Sequence, residues 1–181
     1  MNTKPQPSNV KSEADFKGAA ERAKRVIEEN LVTFPPVNVF DIALNYGLEV
    51  VYAPFGEMRD VAGFINLDTK QIVVNDMDSV SRQRFTIAHE LGHWLMHKDA
   101  LMHNPNQGVL LRRPLGAPDP DPREKEANCF AANLLVPGTL LAGGVIADVR
   151  ENMFIGHERL LSKVFGVSPD VITFRLMYPE G

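Results

Sequence analysis

Two histidines and a glutamate near the middle of the chain have the types and the spacing of a metal-dependent hydrolase site. His89, Glu90 and His93 form the pattern His-Glu-x-x-His within residues 84–95. On a helix, side chains four residues apart lie on one face, so both imidazoles can bind one ion. Zinc is often held by two histidines, one glutamate and a water. Glu90 projects beside the histidine pair, and we predict that it is the catalytic acid/base.

A third protein ligand is expected on a second helix, predicted over residues 121–136. One face of that helix carries, at helical spacing, Glu124, Ala127, Asn128, Ala131 and Leu135. Because several side chains on this face are small, the second helix can approach the first closely. Glu124 lies on the same face and is the predicted ligand. Asn128, one turn further on, is predicted to orient His89 or His93 by a hydrogen bond.

Glu126 and His97 are two other ligand-type side chains near this pair of helices. Glu126 lies about 200° round the second helix from Glu124 and would normally be solvated. It stays an alternative ligand, because the pattern does not fix the register of a helix near its N-terminus. His97 lies about 12 Å along the first helix from His89, too far to share one ion. We predict that His97 packs or hydrogen-bonds behind the metal ligands.

The elements that position these residues predict an α+β fold. A small antiparallel sheet, three-stranded or slightly larger, is expected to pack on the His-Glu-x-x-His helix and on the second ligand-bearing helix. The predicted strands are residues 48–52, 61–67 and 71–75. The predicted helices are one capped by Ser12, one over Val39–Asn45 capped by Asn38, one over 82–97 capped by Ser79 or Ser81, and others over 121–136, 139–149, 158–165 and 169–177. Residues 99–121 are proline-rich and predict a loop.

Length and composition limit the classes of protein that this chain can represent. The 181 residues suit one domain, and a net charge of −4, with histidine counted as neutral, argues against direct nucleic-acid binding. The single cysteine, Cys129, excludes a disulfide framework and indicates a reducing compartment. Residues 1–11 contain no apolar signal segment, and no run approaches the roughly 20 apolar residues that span a bilayer. We therefore predict a cytoplasmic protein with no membrane partner.

Three segments are expected along the chain: a disordered tail at residues 1–11, a zinc-peptidase-like domain at 12–138 and a helical C-terminal subdomain at 139–181. The last contains two short helices joined by a glycine-containing turn, as in a helix-turn-helix unit. A second helix that reads DNA needs several basic residues, and only Arg175 is present. The subdomain is therefore predicted to pack on the peptidase-like domain or to recognise its partner.

Two motifs resemble the ImmA/IrrE family of metallopeptidases. Residues 84–93 read Arg-Phe-Thr-Ile-Ala-His-Glu-Leu-Gly-His, and residues 124–137 follow the pattern Glu-x-x-Ala-Asn-x-Phe-Ala-x-x-Leu-Leu-x-Pro. The strand residues at 63–65 and 72–75 are similar to that family too. The resemblance covers about residues 38–138 and is weakest over the proline-rich segment.

The resemblance implies a gluzincin-like zinc peptidase domain, usually cytoplasmic and encoded by bacteria or phages. It implies that His89, His93 and Glu124 are the metal ligands and that Glu90 is the catalytic acid/base. The position of Asn128 often holds aspartate or asparagine in that family. The resemblance also implies a protein substrate, a helix-turn-helix transcriptional repressor that is cleaved in stress-response or mobile-element control.

The substrate backbone is expected to add as a strand to an edge of the sheet. The expected edge consists of Val61, Ala62, Gly63, Phe64 and Ile65. Candidates for stabilising the oxyanion are His97, His103, His157 and Tyr178, and spacing favours none of them.

Three other interpretations stay open at this point. The motif can be a half-buried helix whose two histidines make ordinary hydrogen bonds. The protein can be a regulatory module that contains zinc and binds a repressor without cleaving it, although a closed structural zinc site usually has four protein ligands. It can also be a zinc hydrolase that acts on a substrate other than a peptide.

Overall fold

The computed structural model describes residues 13–58, 61–102, 121–142 and 157–177. Its elements, in chain order, are α1 (Phe16–Glu29), α2 (Val39–Asn45), β1 (Glu49–Ala53), β2 (Gly63–Asn66), β3 (Gln71–Asn75), α3 (Val80–Met96), α4 (Lys98–Met102), α5 (Pro122–Leu135), α6 (Gly138–Leu141), α7 (His157–Phe165) and α8 (Pro169–Met177). The predicted α+β class is confirmed. No helix within these ranges is long and apolar enough to cross a membrane.

The three strands form a mixed sheet in the order β1-β3-β2. β2 and β3 are antiparallel, with Gly63 opposite Val74, as a hairpin requires. β1 runs parallel to β3, with Glu49 opposite Gln71, so the expectation of an antiparallel sheet was wrong for this pair. The cause is the connection over residues 54–62, which is long enough to place β2 on the far side of β3. Strand periodicity carries no information about direction.

Helix α3 begins at Val80 because the Ser79 side chain accepts a hydrogen bond from the backbone N–H of Arg82, at 3.4 Å. It packs directly under β2. A Cβ atom added at Gly63 would lie 2.5 Å from both Thr86 Cγ2 and the Val73 carbonyl oxygen. Only glycine lets the strand and the helix approach this closely.

Helix α5 lies between α3 and α1 and packs against both. Asp121 caps it by accepting a hydrogen bond from the backbone N–H of Arg123, and Pro122 occupies its first position. The α1 face that packs here carries Ala19, Ala23, Val26 and Ile27. Asp15 is the cap of α1, whereas the predicted cap, Ser12, lies outside the described residues together with the predicted tail.

Two arginines, Arg84 and the buried Arg175, connect the C-terminal helices to the rest of the fold. Arg84 of α3 donates from Nη2 to the Val37 carbonyl at 2.7 Å and from Nε to the Gly166 carbonyl, between α7 and α8, at 3.0 Å. Arg175 of α8 is 2% exposed and donates from Nε to the Val136 carbonyl at 3.2 Å. The Arg175 side chain is therefore buried against the end of α5 and packs within the fold.

The segment predicted as a loop over residues 99–121 begins as a helix. The prediction was wrong at this end, because α4 starts at Lys98 and buries Leu101. Residues 103–120 lie outside the described residues. Of the stretch predicted as helical over 139–149, the described part forms α6, and residues 143–149 also lie outside.

Candidate metal centre

Side chains from α3 and α5 converge where these two helices pack together. His89 Nε2 lies 3.1 Å from Glu124 Oε2, and His93 Nε2 lies 2.9 Å from Glu124 Oε1. The two Nε2 atoms are 3.0 Å apart. The structure thus brings together three of the side chains nominated from the sequence, with their ligand atoms within 4.8 Å of one another.

The geometry and chemistry of these three donors fit a divalent transition metal. A tetrahedral zinc ion with bonds of about 2.0–2.2 Å separates neighbouring ligand atoms by about 3.3–3.6 Å. The observed separations of 2.9–3.1 Å need only a small outward movement to match. Two imidazole nitrogens and one carboxylate form a donor set of catalytic zinc sites, and imidazole also suits neighbouring transition metals.

Glu124 carries its negative charge at the centre of the cluster. Burial raises the pKa of its carboxyl group, but hydrogen bonds and charge interactions with His89 and His93 outweigh burial and hold that pKa well below its usual range. Its side chain is 15% exposed, whereas the two histidine side chains are 1% and 0% exposed. An ionised carboxylate facing two buried imidazoles favours a bound cation.

Asn128 contacts the outer nitrogen of one histidine of the cluster. Its Oδ1 lies 3.0 Å from His89 Nδ1. An amide oxygen only accepts, so this contact requires a proton on His89 Nδ1. Nε2, the nitrogen that bonds to Glu124, is then the one that a metal ion can bind in place of a proton.

His97 lies behind the cluster and outside it. It is the C-cap of α3 and is 6% exposed. Its Nδ1 lies 3.0 Å from His93 Nδ1, and its Nε2 lies 2.8 Å from Glu126 Oε2. Burial lowers the pKa of His97, and the hydrogen bond with Glu126 opposes this in part. Both ring nitrogens are engaged, so neither is available to an oxyanion.

Glu126 was expected to be solvated, and this expectation was wrong. Its side chain is 18% exposed, contacts His97, and accepts a hydrogen bond on Oε1 from the Asp15 backbone N–H at 2.8 Å. The packing of α1 on α5 covers this side of the helix, which the periodicity of α5 alone does not reveal. Glu126 is not a member of the three-atom cluster.

Glu90 is fully buried on the helix that carries both histidines. It shares a face of α3 with Thr86, one turn earlier, and Thr86 lies under Gly63 of β2. The side of α3 that bears Glu90 therefore faces the sheet beside β2. The side chain of His157 and the whole of His103 and Tyr178 lie outside the described residues.

Comparison with known proteins identifies one family. Residues 43–177 match the Peptidase_M78 family model, described as the IrrE N-terminal-like domain. No curated protein matches the chain. A solved Mycobacterium tuberculosis transcriptional regulator is 17% identical, with a TM-score of 0.62 over 87% of this chain. At that identity the likeness shows the fold alone, and this chain covers 46% of the regulator's length.

Proposed function

This chain belongs to the family of IrrE N-terminal-like domains, and on that premise we propose that it is a zinc-dependent endopeptidase. One observation carries the proposal: two imidazole nitrogens and a carboxylate oxygen from two helices meet within 4.8 Å, and the buried Glu90 directly follows His89 in the chain. The proposed metal ligands are His89, His93 and Glu124.

The residues of this chain can divide the work of peptide hydrolysis among them. A bound zinc ion supplies Lewis acidity, which polarises a peptide carbonyl and lowers the pKa of water. Glu90 accepts a proton from the attacking water and delivers it to the nitrogen of the leaving amine. The complete burial of Glu90 supports this role, because bulk water does not compete there for the proton.

The proposed site for the substrate backbone is the outer edge of β2. Within the described ranges β2 pairs only with β3. The Asn75 backbone N–H donates to the Ala62 carbonyl oxygen at 2.9 Å. Since hydrogen bonding alternates along an antiparallel strand, the backbone groups of Gly63 and Ile65 point to the outer edge. A substrate strand added there would run along the side of α3 that bears Glu90.

The proposed substrate is a helix-turn-helix transcriptional repressor, cleaved in the cytoplasm to relieve repression in stress-response or mobile-element control. The resemblance of both helix motifs to the ImmA/IrrE family supports this class of substrate. The fold likeness to a protein named as a transcriptional regulator is compatible with it.

The alternative is a regulatory module that contains the metal and binds a repressor without cleaving it. The name of the solved relative favours a regulatory context. Against the alternative, the described residues supply three ligand atoms to the cluster, and a closed structural zinc site usually has four. Glu90→Gln separates the two functions. The variant should still bind its partner whether the protein is a peptidase or a binding module. It should lose regulation only if cleavage is the mechanism.

The peptidase proposal is tested with a peptide library and mass spectrometry. Zinc-loaded wild type should cut bonds that Glu90→Gln, loaded with the same amount of zinc, leaves intact. Removal of zinc with a chelator should abolish cutting, and zinc addition should restore it. Equal cutting by the two proteins would reject Glu90 as the acid/base, and no cut by either would favour a substrate other than a peptide.

A further inference from the structure

A chain of hydrogen bonds runs from the candidate metal ligands to the start of α1. His93 Nδ1 lies 3.0 Å from His97 Nδ1, and His97 Nε2 lies 2.8 Å from Glu126 Oε2. Glu126 Oε1 accepts the hydrogen bond of the Asp15 backbone N–H at 2.8 Å. His93 and His97 are 0% and 6% exposed, so bulk water does not replace the contact between these two rings.

The order of donors and acceptors in this chain is determined from its outer end. A carboxylate only accepts, so the proton between His97 and Glu126 belongs to His97 Nε2. A neutral imidazole then has its lone pair on Nδ1, and this atom accepts from His93. His93 therefore keeps a proton on Nδ1, and Nε2, which lies 2.9 Å from Glu124 Oε1, is the nitrogen that can give up its proton to bind a metal ion.

We propose that Glu126 and His97 are positioning residues that hold His93 in the tautomer required of a metal ligand. The inference rests on the metal site of the proposed function. Asn128 does the same for His89 in one step, through its contact with Nδ1. The route to His93 takes two steps and ends on a backbone N–H of Asp15, the N-cap of α1. The docking of α1 on α5 thus becomes a condition for tight metal binding, although α1 contributes no ligand.

The opposite arrangement explains why the charge of Glu126 matters. If the proton of His97 were on Nδ1, its Nε2 lone pair would face a carboxylate oxygen at 2.8 Å, and two acceptors would repel. His93 Nδ1 would then accept and carry no proton. The only proton of His93 would be on Nε2, and its loss to a metal ion would leave an imidazolate anion. A glutamine at position 126 permits this opposite order. Its amide N–H can donate to His97 while its oxygen still accepts from Asp15.

The experiment compares zinc affinity of the full chain as wild type and as Glu126→Gln, by competition with a chromophoric chelator. Loss of a partner that orients a metal-binding histidine typically weakens metal affinity about 10–100-fold. We expect a loss in this range, with little change in the melting temperature of the zinc-free protein. Lys125→Gln, at the exposed neighbouring position, is the matched control and should bind zinc as wild type does. A folded Glu126→Gln protein with wild-type zinc affinity would overturn the proposal.

A second measurement needs no stable variant at position 126. Nitrogen–proton spectra of the histidine rings in zinc-loaded wild type should show the His97 proton on Nε2 and the His93 proton on Nδ1. A His97 proton on Nδ1 would overturn the proposal. The outcomes also separate this inference from the peptidase proposal. Weaker zinc binding by Glu126→Gln, with no cleavage by wild type, would support the hydrogen-bond chain and contradict the peptidase. Cleavage by wild type, with unchanged zinc affinity in Glu126→Gln, would support the peptidase and contradict the hydrogen-bond chain.

Discussion

Gly92 of α3 lies against the ring of Phe130 of α5, so closely that a Cβ atom at Gly92 would stand 2.9 Å from Phe130 Cδ1. The same Cβ atom would lie 3.4 Å from Ala127 Cα. Gly92 immediately precedes His93, and Ala127 lies one turn after Glu124. The distance between the two helix backbones at this point therefore sets the distance between the candidate ligands.

We expect Gly92→Ala to weaken zinc binding and to destabilise the protein. Overpacking a well-packed contact typically costs about 1–3 kcal/mol, and here the strain moves α5 away from the histidines. The measurements are urea unfolding of the zinc-free protein and a zinc titration. Gly138→Ala is the control, because its Cβ atom would lie 3.7 Å from Arg175 Nη2, an ordinary contact distance. Zinc binding of Gly92→Ala equal to that of Gly138→Ala would contradict the role assigned to this contact.

Asn128→Leu should weaken zinc binding about 10–100-fold, because no group then accepts the His89 Nδ1 proton. Asn128→Asp should retain most of the affinity, since its carboxylate can accept the same hydrogen bond. Asn133→Leu is the control on the same helix, where the Asn133 side chain donates to the Cys129 carbonyl at 2.9 Å. The account of His89 orientation fails if Asn128→Leu binds zinc as tightly as Asn133→Leu does.

The zinc-free protein should lose the stabilisation from Glu124 in acid. The folded-state pKa of Glu124 is lower than its ordinary value of 4.5, so the folded protein binds fewer protons there than the unfolded chain. The contribution is therefore fully present above pH 4.5 and declines as the pH falls toward the folded-state pKa. The difference in unfolding free energy between wild type and Glu124→Gln, measured in urea from pH 6 downward, should shrink in this window. A difference independent of pH would contradict the charge interaction.

Arg84→Met should destabilise the fold and loosen α7 and α8. The change removes charged donors from the Val37 and Gly166 carbonyls, and hydrogen bonds to charged groups contribute about 1.5–3 kcal/mol each. In limited proteolysis followed by mass spectrometry, Arg84→Met should be cut C-terminal to α6 after a shorter digestion time than wild type. Arg82→Met is the matched control, because Arg82 pairs at 3.0 Å with Asp78, just before the start of its own helix. Equal proteolysis of the two variants would show that Arg84 does not hold the C-terminal helices.

Helices and strands whose ends are marked by nearby residues, such as a cap or a glycine, were predicted well from the sequence. The Asn38 cap and Gly47 delimit α2, which spans the predicted Val39–Asn45. β3 spans the predicted residues 71–75, and α7 differs from its prediction by one residue. The grouping of Glu124 with the two histidines was also accessible, because it follows from the spacing of small residues along a single helix.

The features that were missed depend on contacts between distant segments. The parallel pairing of β1 arises from where the connection to β2 leads the chain. Glu126 contacts His97 at the end of α3 and Asp15, the N-cap of α1, which lies 111 residues earlier in the chain. A pattern within α5 assigns Glu126 to the solvent side, and only the positions of α1 and α3 give that side its partners.

A crystal grown with zinc tests most directly whether α3 and α5 together hold a zinc ion. Anomalous difference density collected at the zinc absorption edge should show one peak within bonding distance of His89 Nε2, His93 Nε2 and a Glu124 carboxylate oxygen. The same data from Glu124→Gln should show a weaker peak or none. A wild-type crystal whose zinc lies elsewhere, with these three side chains still joined by hydrogen bonds, would contradict the account.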